Sequence, residues 1–187
     1  DKRGSDELGY MMQFRGGTDA VFFQVSDGTL DNYGYTGADI VLGQWHYIVM
    51  SWDTSANKIT FYKDGVDVGV VSEQDYVVDG SLNNDAELRI GRKSSGYTNN
   101  YFNGLICSVS IYNVAKSASE ILSMYNDGID GDESSNSGLQ GYWKMDNTSE
   151  VIDLSGNSNN GTVNGTALIE NAVALDSTSN NNDGSPI

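Results

Sequence analysis

Of 187 residues, one is cysteine (Cys107), one proline (Pro186) and one histidine (His46), and only ten are lysine or arginine. A single cysteine excludes an internal disulfide framework. With the single His46 beside Trp45 and no second cysteine, neither a zinc ligand set nor a Cys–His nucleophile pair is expected within the chain. Cys107 stands in an apolar stretch and is read as a buried, inert thiol. Against the ten cations stand 26 acidic residues, a formal charge of −16. Such a surface repels phosphate backbones and anionic membranes, so no nucleic-acid partner is expected. No apolar run approaches the roughly 20 residues a membrane helix needs, so no membrane insertion is expected. The first residues carry no basic-then-apolar pattern, and any signal segment is expected to have been removed or to lie upstream of Asp1.

What the chain has is 22 glycines with abundant Ser, Thr, Asn and Asp, the composition of many short strands joined by polar turns. Gln44 to Gly69 is the organising stretch. Trp45 to Trp52 (WHYIVMSW) reads as a buried strand, Lys58 to Lys63 alternates, and Asp64-Gly65 turns into Val66 to Val71. Asp-Gly between alternating runs signals a hairpin, because a type I′ turn requires φ > 0 at both central residues. Before it, Gly9 to Arg15, Ala20 to Ser26 and Thr29 to Tyr35 read as strands, behind a charged, loose Asp1 to Leu8. After it, Tyr76 to Val78 reads as a short edge strand, Ala86 to Gly91 as a strand and Arg92 to Asn100 as a loop. Tyr101 to Tyr112 reads as a strand pair, or one strand bent at Gly104. Ser117-Ala-Ser-Glu120 is a capping box that opens a helix of about two turns, ended by Asn126-Asp127-Gly128.

Residues 129–137 (IDGDESSNS) are acidic and Gly/Ser-rich, which predicts a linker. Beyond them, Leu139 to Met145 is strand-like and the remainder is polar. The tail repeats itself: Asp153 to Thr162 and Asp176 to Ser185 share the form D-x-[ST]-x-N-x-N-x-G-[ST], 23 residues apart.

The Gly43-Gln44-Trp45-His46-Tyr47 strand, the FYKDGV hairpin at Phe61 to Val66, LRIGR at Leu88 to Arg92 and YFNGLICSVSIYNVAKSASEI at Tyr101 to Ile121 resemble the laminin-G-like, concanavalin-A-type jelly-roll modules in their order. The resemblance implies an all-β fold, a two-sheet antiparallel jelly-roll sandwich with one short helix. It covers residues 1–128. Residues 138–187 resemble the opening of such a module, with GLQGYWKMDNTSEVIDLSGNSNNGTVNG at Gly138 to Gly165. The chain therefore reads as the back of one module followed by the front of another. Three explanations stand: a permuted chain whose tail completes its own sandwich, a tail that completes a neighbouring subunit, or a piece of a longer tandem array. A sandwich lacking strands exposes apolar face and strand edge, so something must cover it.

The Asp/Asn loops raise the question of Ca²⁺, which takes six to eight oxygens. In the family the opening loop commonly helps to hold the ion, which implies Asp153, Asn157 and Asn159 as a first ligand set and Asp176, Asn180 and Asn182 as a second. The family also contributes an Asp from the strand after the F-x-G motif, where this chain has Cys107 or Ser108. An Asx-turn loop without metal is the alternative. Trp45, Trp52 and Trp143 are read as core, which leaves Tyr97 and Tyr101, in and beside the 92–100 loop, as ligand-contacting aromatics. The E-x-D-x-(x)-E carboxylates of jelly-roll glucanases, a phosphate loop and a Ser-His-Asp set are not found, so the chain is expected not to be an enzyme. The expectation is an extracellular or cell-surface module that binds glycan or protein. The alternatives are a subunit of a homo-oligomer or filament built by strand exchange, or an accessory module of a carbohydrate-active enzyme.

Overall fold

The computed structural model describes residues 1–2, 8–15, 20–28, 31–35, 40–56, 58–69, 72–75, 81–93, 101–145 and 150–164. The chain divides into two compact units, Asp1–Asn103 and Gly104–Ile187.

In the first unit, β1 (Gly9–Arg15), β2 (Ala20–Ser26), β3 (Asp31–Tyr35) and β7 (Ser72–Asp75) form a four-stranded antiparallel sheet in that order. A second, three-stranded sheet holds β4 (Ile48–Asp53), β5 (Lys58–Lys63) and β6 (Val66–Asp67). Successive strand residues point to opposite faces, and the core uses that alternation. Val21, Phe23 and Val25 of β2 cluster with Ile59 and Phe61 of β5. Tyr10 and Phe14 join from β1, opposite Val25 and Val21 in register. Ile48, Met50 and Trp52 join from β4, the last two opposite Phe61 and Ile59. The two sheets thus share one apolar layer, the packing of a β-sandwich.

The predicted hairpin is present. Asp64 and Gly65 take φ of 53° and 78°, as a type I′ turn requires. Asp64 is held there by its own side chain, which accepts from the Tyr47 N–H at 2.9 Å and lies 3.0 Å from His46 Nδ1. The lone histidine thereby pins the turn to the entry of β4.

Several local expectations shift. The deepest strand is β2, buried at all seven positions, whereas Ile48 to Trp52 of β4 are half-buried. Among the described strands β2 has a neighbour on each side and β4 is an edge, so edge position outweighs composition. The edge strand next to β3 is the polar Ser72–Asp75. Backbone pairing alone holds an edge strand, and polar residues suit it. Tyr76 to Val78 lie outside the described residues. Among the described residues Ala86 to Gly91 forms no ladder. Arg89 exchanges two main-chain hydrogen bonds with Asp1, of 2.9 and 2.7 Å, and Arg92 bridges to Tyr101. Asp1 and Lys2, expected to be loose, are tied down: Asn84 Nδ2 donates to the carbonyls of Lys2 and Leu8. Gly9 makes room for this clasp, since a Cβ there would meet the Lys2 carbonyl oxygen at 2.1 Å.

In the second unit, β8 (Val109–Tyr112) pairs antiparallel with β9 (Leu139–Trp143), and α1 (Ala118–Asp127) lies between them in sequence. The capping box forms as predicted. Ser117 Oγ accepts from the Glu120 N–H, and Glu120 Oε2 accepts from the Ser117 N–H at 2.8 Å. The helix runs ten residues before Gly128, at φ 71°, ends it. Ile121 and Tyr142 are fully buried, with Trp143 and Leu139 nearly so. The Trp143 ring covers Gly141, where a Cβ would come within 2.3 Å of it.

The antiparallel strands with one helix bear out the all-β reading. Residues 129–137, acidic by composition, are held at several points. Tyr142 Oη donates to the Gly131 carbonyl at 2.8 Å, Ser108 Oγ donates to the Ile129 carbonyl at 3.2 Å, and Glu133 is only 8% exposed.

Phe61 has no exposed surface, so Phe61→Ala is expected to cost about 3–5 kcal/mol of stability. Guanidinium unfolding followed by tryptophan fluorescence checks this, and an unchanged midpoint would remove Phe61 from the core.

Candidate functional site

The D-x-S-x-N-x-N-x-G loop of the second unit is built on β9. Asp153 is 7% exposed. Its Oδ1 accepts from the N–H groups of Tyr142 and Ser155, each at 2.9 Å, and its Oδ2 from the Asn159 N–H at 2.9 Å. The Asp153 N–H donates in turn to Asn160 Oδ1. Leu154 N–H donates to the Tyr142 carbonyl and Trp143 Nε1 to the Asn159 carbonyl, so the loop is tied to β9 on both sides of Asp153. Two positive-φ residues, Gly156 at 85° and Ser158 at 61°, let the chain turn tightly enough for this. Burial pushes the Asp153 pKa up, but the N–H donors of Ser155, Tyr142 and Asn159 outweigh it and bring it down to about 2.

The structure brings Asp153, Asn157 and Asn159 into one loop, as the spacing predicts. Asn157 and Asn159, however, both turn their Nδ2 groups onto the Gln140 carbonyl, at 3.1 and 3.0 Å, and Asn157 Nδ2 also reaches the Leu139 carbonyl at 3.4 Å. Ser155 Oγ reaches the same oxygen at 3.3 Å. A Ca²⁺ site needs six to eight converging oxygens. Here the groups that converge on the carboxylate and the carbonyl are N–H and O–H donors, and both oxygens of Asp153 are occupied. The arrangement does not fit Ca²⁺. Among the described residues no group of three or more His, Cys, Asp or Glu is placed to hold a metal. Ser108, one of the two residues standing where the family has an Asp, donates its hydroxyl to Ile129. Cys107 is the other, and burial pushes its thiol up to about 11, so it is neutral at ordinary pH. Asp176, Asn180 and Asn182 lie outside the described residues.

In the first unit, Tyr101 is 65% exposed and Phe102 44%. Their backbone is fixed by the Arg92–Tyr101 bridge and by the Phe102 N–H to the Gly91 carbonyl at 2.8 Å. The Arg92 guanidinium carbon sits 5.4 Å from the Tyr101 ring centroid, a cation–π distance that orients the ring. Tyr101 is therefore an exposed aromatic on a defined backbone. Tyr97 lies outside the described residues.

One feature of the second unit escaped the sequence. A cavity of about 150 Å³ is lined by Lys116, Ser123, Met124, Asp127, Glu133 and Asn136, among others. At its edge Tyr112 Oη donates to Glu133 Oε2 at 2.6 Å and accepts from Asn136 Nδ2 at 3.2 Å. Burial, reinforced by the bond to Glu133, pushes the Tyr112 phenol well above its ordinary pKa. Lys116 Nζ lies 4.5 Å from the centroid of the same ring. No sequence signal could find this cluster, because residues 129–137 carry no apolar period.

The depressed pKa of Asp153 has a definite sign. It contributes stability that is complete above the unfolded value of about 3.9. That contribution is lost as pH falls from there through the folded value of about 2. Acid unfolding is expected to weaken the second unit across that window, and Asp153→Asn to flatten this part of the curve. Circular dichroism against pH checks it; parallel curves for the two proteins would count against the carboxylate.

No curated protein matches the chain. Among solved structures, a presumed carbohydrate-binding protein from Bacteroides ovatus superposes with a TM-score of 0.63 at 20% identity, over 85% of this chain and 46% of that one. The chain thus spans about half the length of that structure. An S-layer domain-containing protein from Clostridium thermocellum matches at 19% identity over 65% of each chain, with a TM-score of 0.39. The sequence model of the concanavalin A-like lectin/glucanases superfamily matches residues 1–122. With well over half its length matched and the strands of its first unit in two facing antiparallel sheets, the chain belongs to the concanavalin A-like lectin/glucanases superfamily.

Proposed function

We propose that this chain is a non-catalytic binding module for glycan, acting outside the cell or at its surface. The observation that carries the reading is Tyr101: an aromatic ring two-thirds exposed, on a backbone fixed by its bridge to Arg92. The CH faces of a pyranose suit such a ring, whose apolar face and polar hydroxyl serve both sides of a sugar. The superfamily includes lectins, and the structural neighbour from Bacteroides ovatus is described as a presumed carbohydrate-binding protein. Fold alone does not give function, so the weight rests on the aromatic. The charge of −16 narrows the ligand, because sulfated or uronic-acid-rich glycans would be repelled. Neutral oligosaccharides are the class expected. The reading as non-catalytic rests on the sequence holding no full E-x-D-x-(x)-E set: Glu73-Gln74-Asp75 of β7 has the first two carboxylates and no glutamate after them.

The test is calorimetric titration of the whole chain with a panel of neutral and acidic oligosaccharides. Binding is expected for a neutral member, weakened about tenfold, roughly 1.4 kcal/mol, by Tyr101→Ala. A folded protein that binds no member of the panel would sink the proposal, and binding untouched by Tyr101→Ala would move the site elsewhere.

A further inference from the structure

We infer that the loop from Asp153 to Gly161 is a metal-free clamp, in which main-chain N–H groups fill the place a divalent cation would take. Three observations carry this independently of the glycan reading.

The carboxylate of Asp153 is the loop's centre, and its charge is already met. Two N–H groups reach Oδ1 and one reaches Oδ2, all at 2.9 Å, from three separate points of the chain: Tyr142 on β9, Ser155 just after Asp153, and Asn159 beyond the turn. A carboxylate that accepts several backbone N–H bonds is stabilised in its ionised form without a cation. A Ca²⁺ ion placed against either oxygen would meet N–H dipoles with their positive ends toward it.

The two asparagines are spent in the same way. Asn157 and Asn159 present nitrogen, not oxygen, to the centre of the loop, and both bind the Gln140 carbonyl together with Ser155 Oγ. Three donors thus cover that carbonyl. The remaining closures are also internal: Gly161 N–H to the Val151 carbonyl at 2.7 Å and Trp143 Nε1 to the Asn159 carbonyl at 2.9 Å. Gly161 is packed against Val151, where a Cβ would come within 2.9 Å of Val151 Cγ1.

The third observation is the surroundings. The described ionisable side chain on β9's exit, Lys144, directs its Nζ to the Asp130 carbonyl at 3.3 Å, and Cys107 and Ser108 bring no negative charge. With no group of three or more His, Cys, Asp or Glu placed to hold a metal among the described residues, a carboxylate already accepting three N–H bonds is a poor start for a site that needs six to eight oxygens. The loop therefore does by hydrogen bonding what a bound ion would do by coordination: it fixes residues 153–161 against β9.

The experiment uses the full chain, stripped with EDTA and then titrated with CaCl₂. Thermal unfolding and the amide ¹H–¹⁵N resonances of Ser155 and Asn159 are followed together. The expected result is that both amide resonances stay where they are as Ca²⁺ is added. Asp153→Asn is expected to lower Tm by about 3–10 °C, equally with and without Ca²⁺. A Ca²⁺-dependent rise in Tm that persists in Asp153→Asn, with the two amides unmoved, places an ion elsewhere in the chain and supports the clamp. Displacement of the Ser155 or Asn159 amide on adding Ca²⁺, or a rise in Tm that Asp153→Asn abolishes, overturns it. Should that variant fail to fold, the amide titration of the unaltered protein decides alone.

Discussion

Alternation is the constraint on which the first unit depends. A strand shows one face with its odd residues and the other with its even ones, so a shared apolar layer needs the right residues in phase on both sheets. Val21, Phe23 and Val25 on one sheet and Ile59 and Phe61 on the other meet that condition. Cross-strand register carries the phase sideways to Tyr10, Phe14, Met50 and Trp52. A slip of one residue in any pair would turn that set outward. The turn at Asp64-Gly65 guards against the slip by fixing β5 to β6, and its tie to His46 and Tyr47 fixes the start of β4 as well.

The second unit sets a buried charge beside its apolar residues Ile121, Leu139, Tyr142 and Trp143. Asp153 is buried, ionised and surrounded by N–H donors, an arrangement that would be costly if any donor were missing. It converts a polar, glycine-rich stretch into a defined surface packed on β9. Glu133 shows the same economy in miniature, a buried carboxylate whose donor is the Tyr112 hydroxyl. An acidic chain with few cations has to neutralise its buried carboxylates somehow, and here backbone amides and hydroxyls do so in place of lysine and arginine.

That scarcity of cations also bears on recognition. With so many carboxylates left in solvent, the exposed surface disfavours anionic ligands, and a contact to a neutral partner has to rest on shape, hydroxyls and aromatic faces. Tyr101 has the exposure for that, and Arg92 supplies one of the few positive charges nearby. By contrast Trp143, fully committed to covering Gly141, is core, as its motif implied, while Trp45 and Trp52 are only half-buried.

What the sequence determined by itself was everything set by neighbours along the chain. The strands Gly9–Arg15 and Ala20–Ser26, the Asp-Gly hairpin and the Ser117–Glu120 capping box are local, because alternation, positive φ and cap hydrogen bonds involve residues within a few positions of one another. The gathering of Asp153, Asn157 and Asn159 in one loop was legible for the same reason. What only tertiary structure decided was who pairs with whom. β2 is deeper than β4, the strand of the Trp45–Trp52 run, because it has two neighbouring strands. The acidic segment 129–137 is held in place because Tyr112, Tyr142 and Ser108 supply donors from distant strands. The asparagine amides of the loop face inward with nitrogen because the Gln140 carbonyl, on a strand more than a dozen residues earlier, is waiting there. Composition carries the chemical character of each group but not the identity of the distant atom that meets it, and that meeting is what separates a metal loop from a hydrogen-bonded clamp.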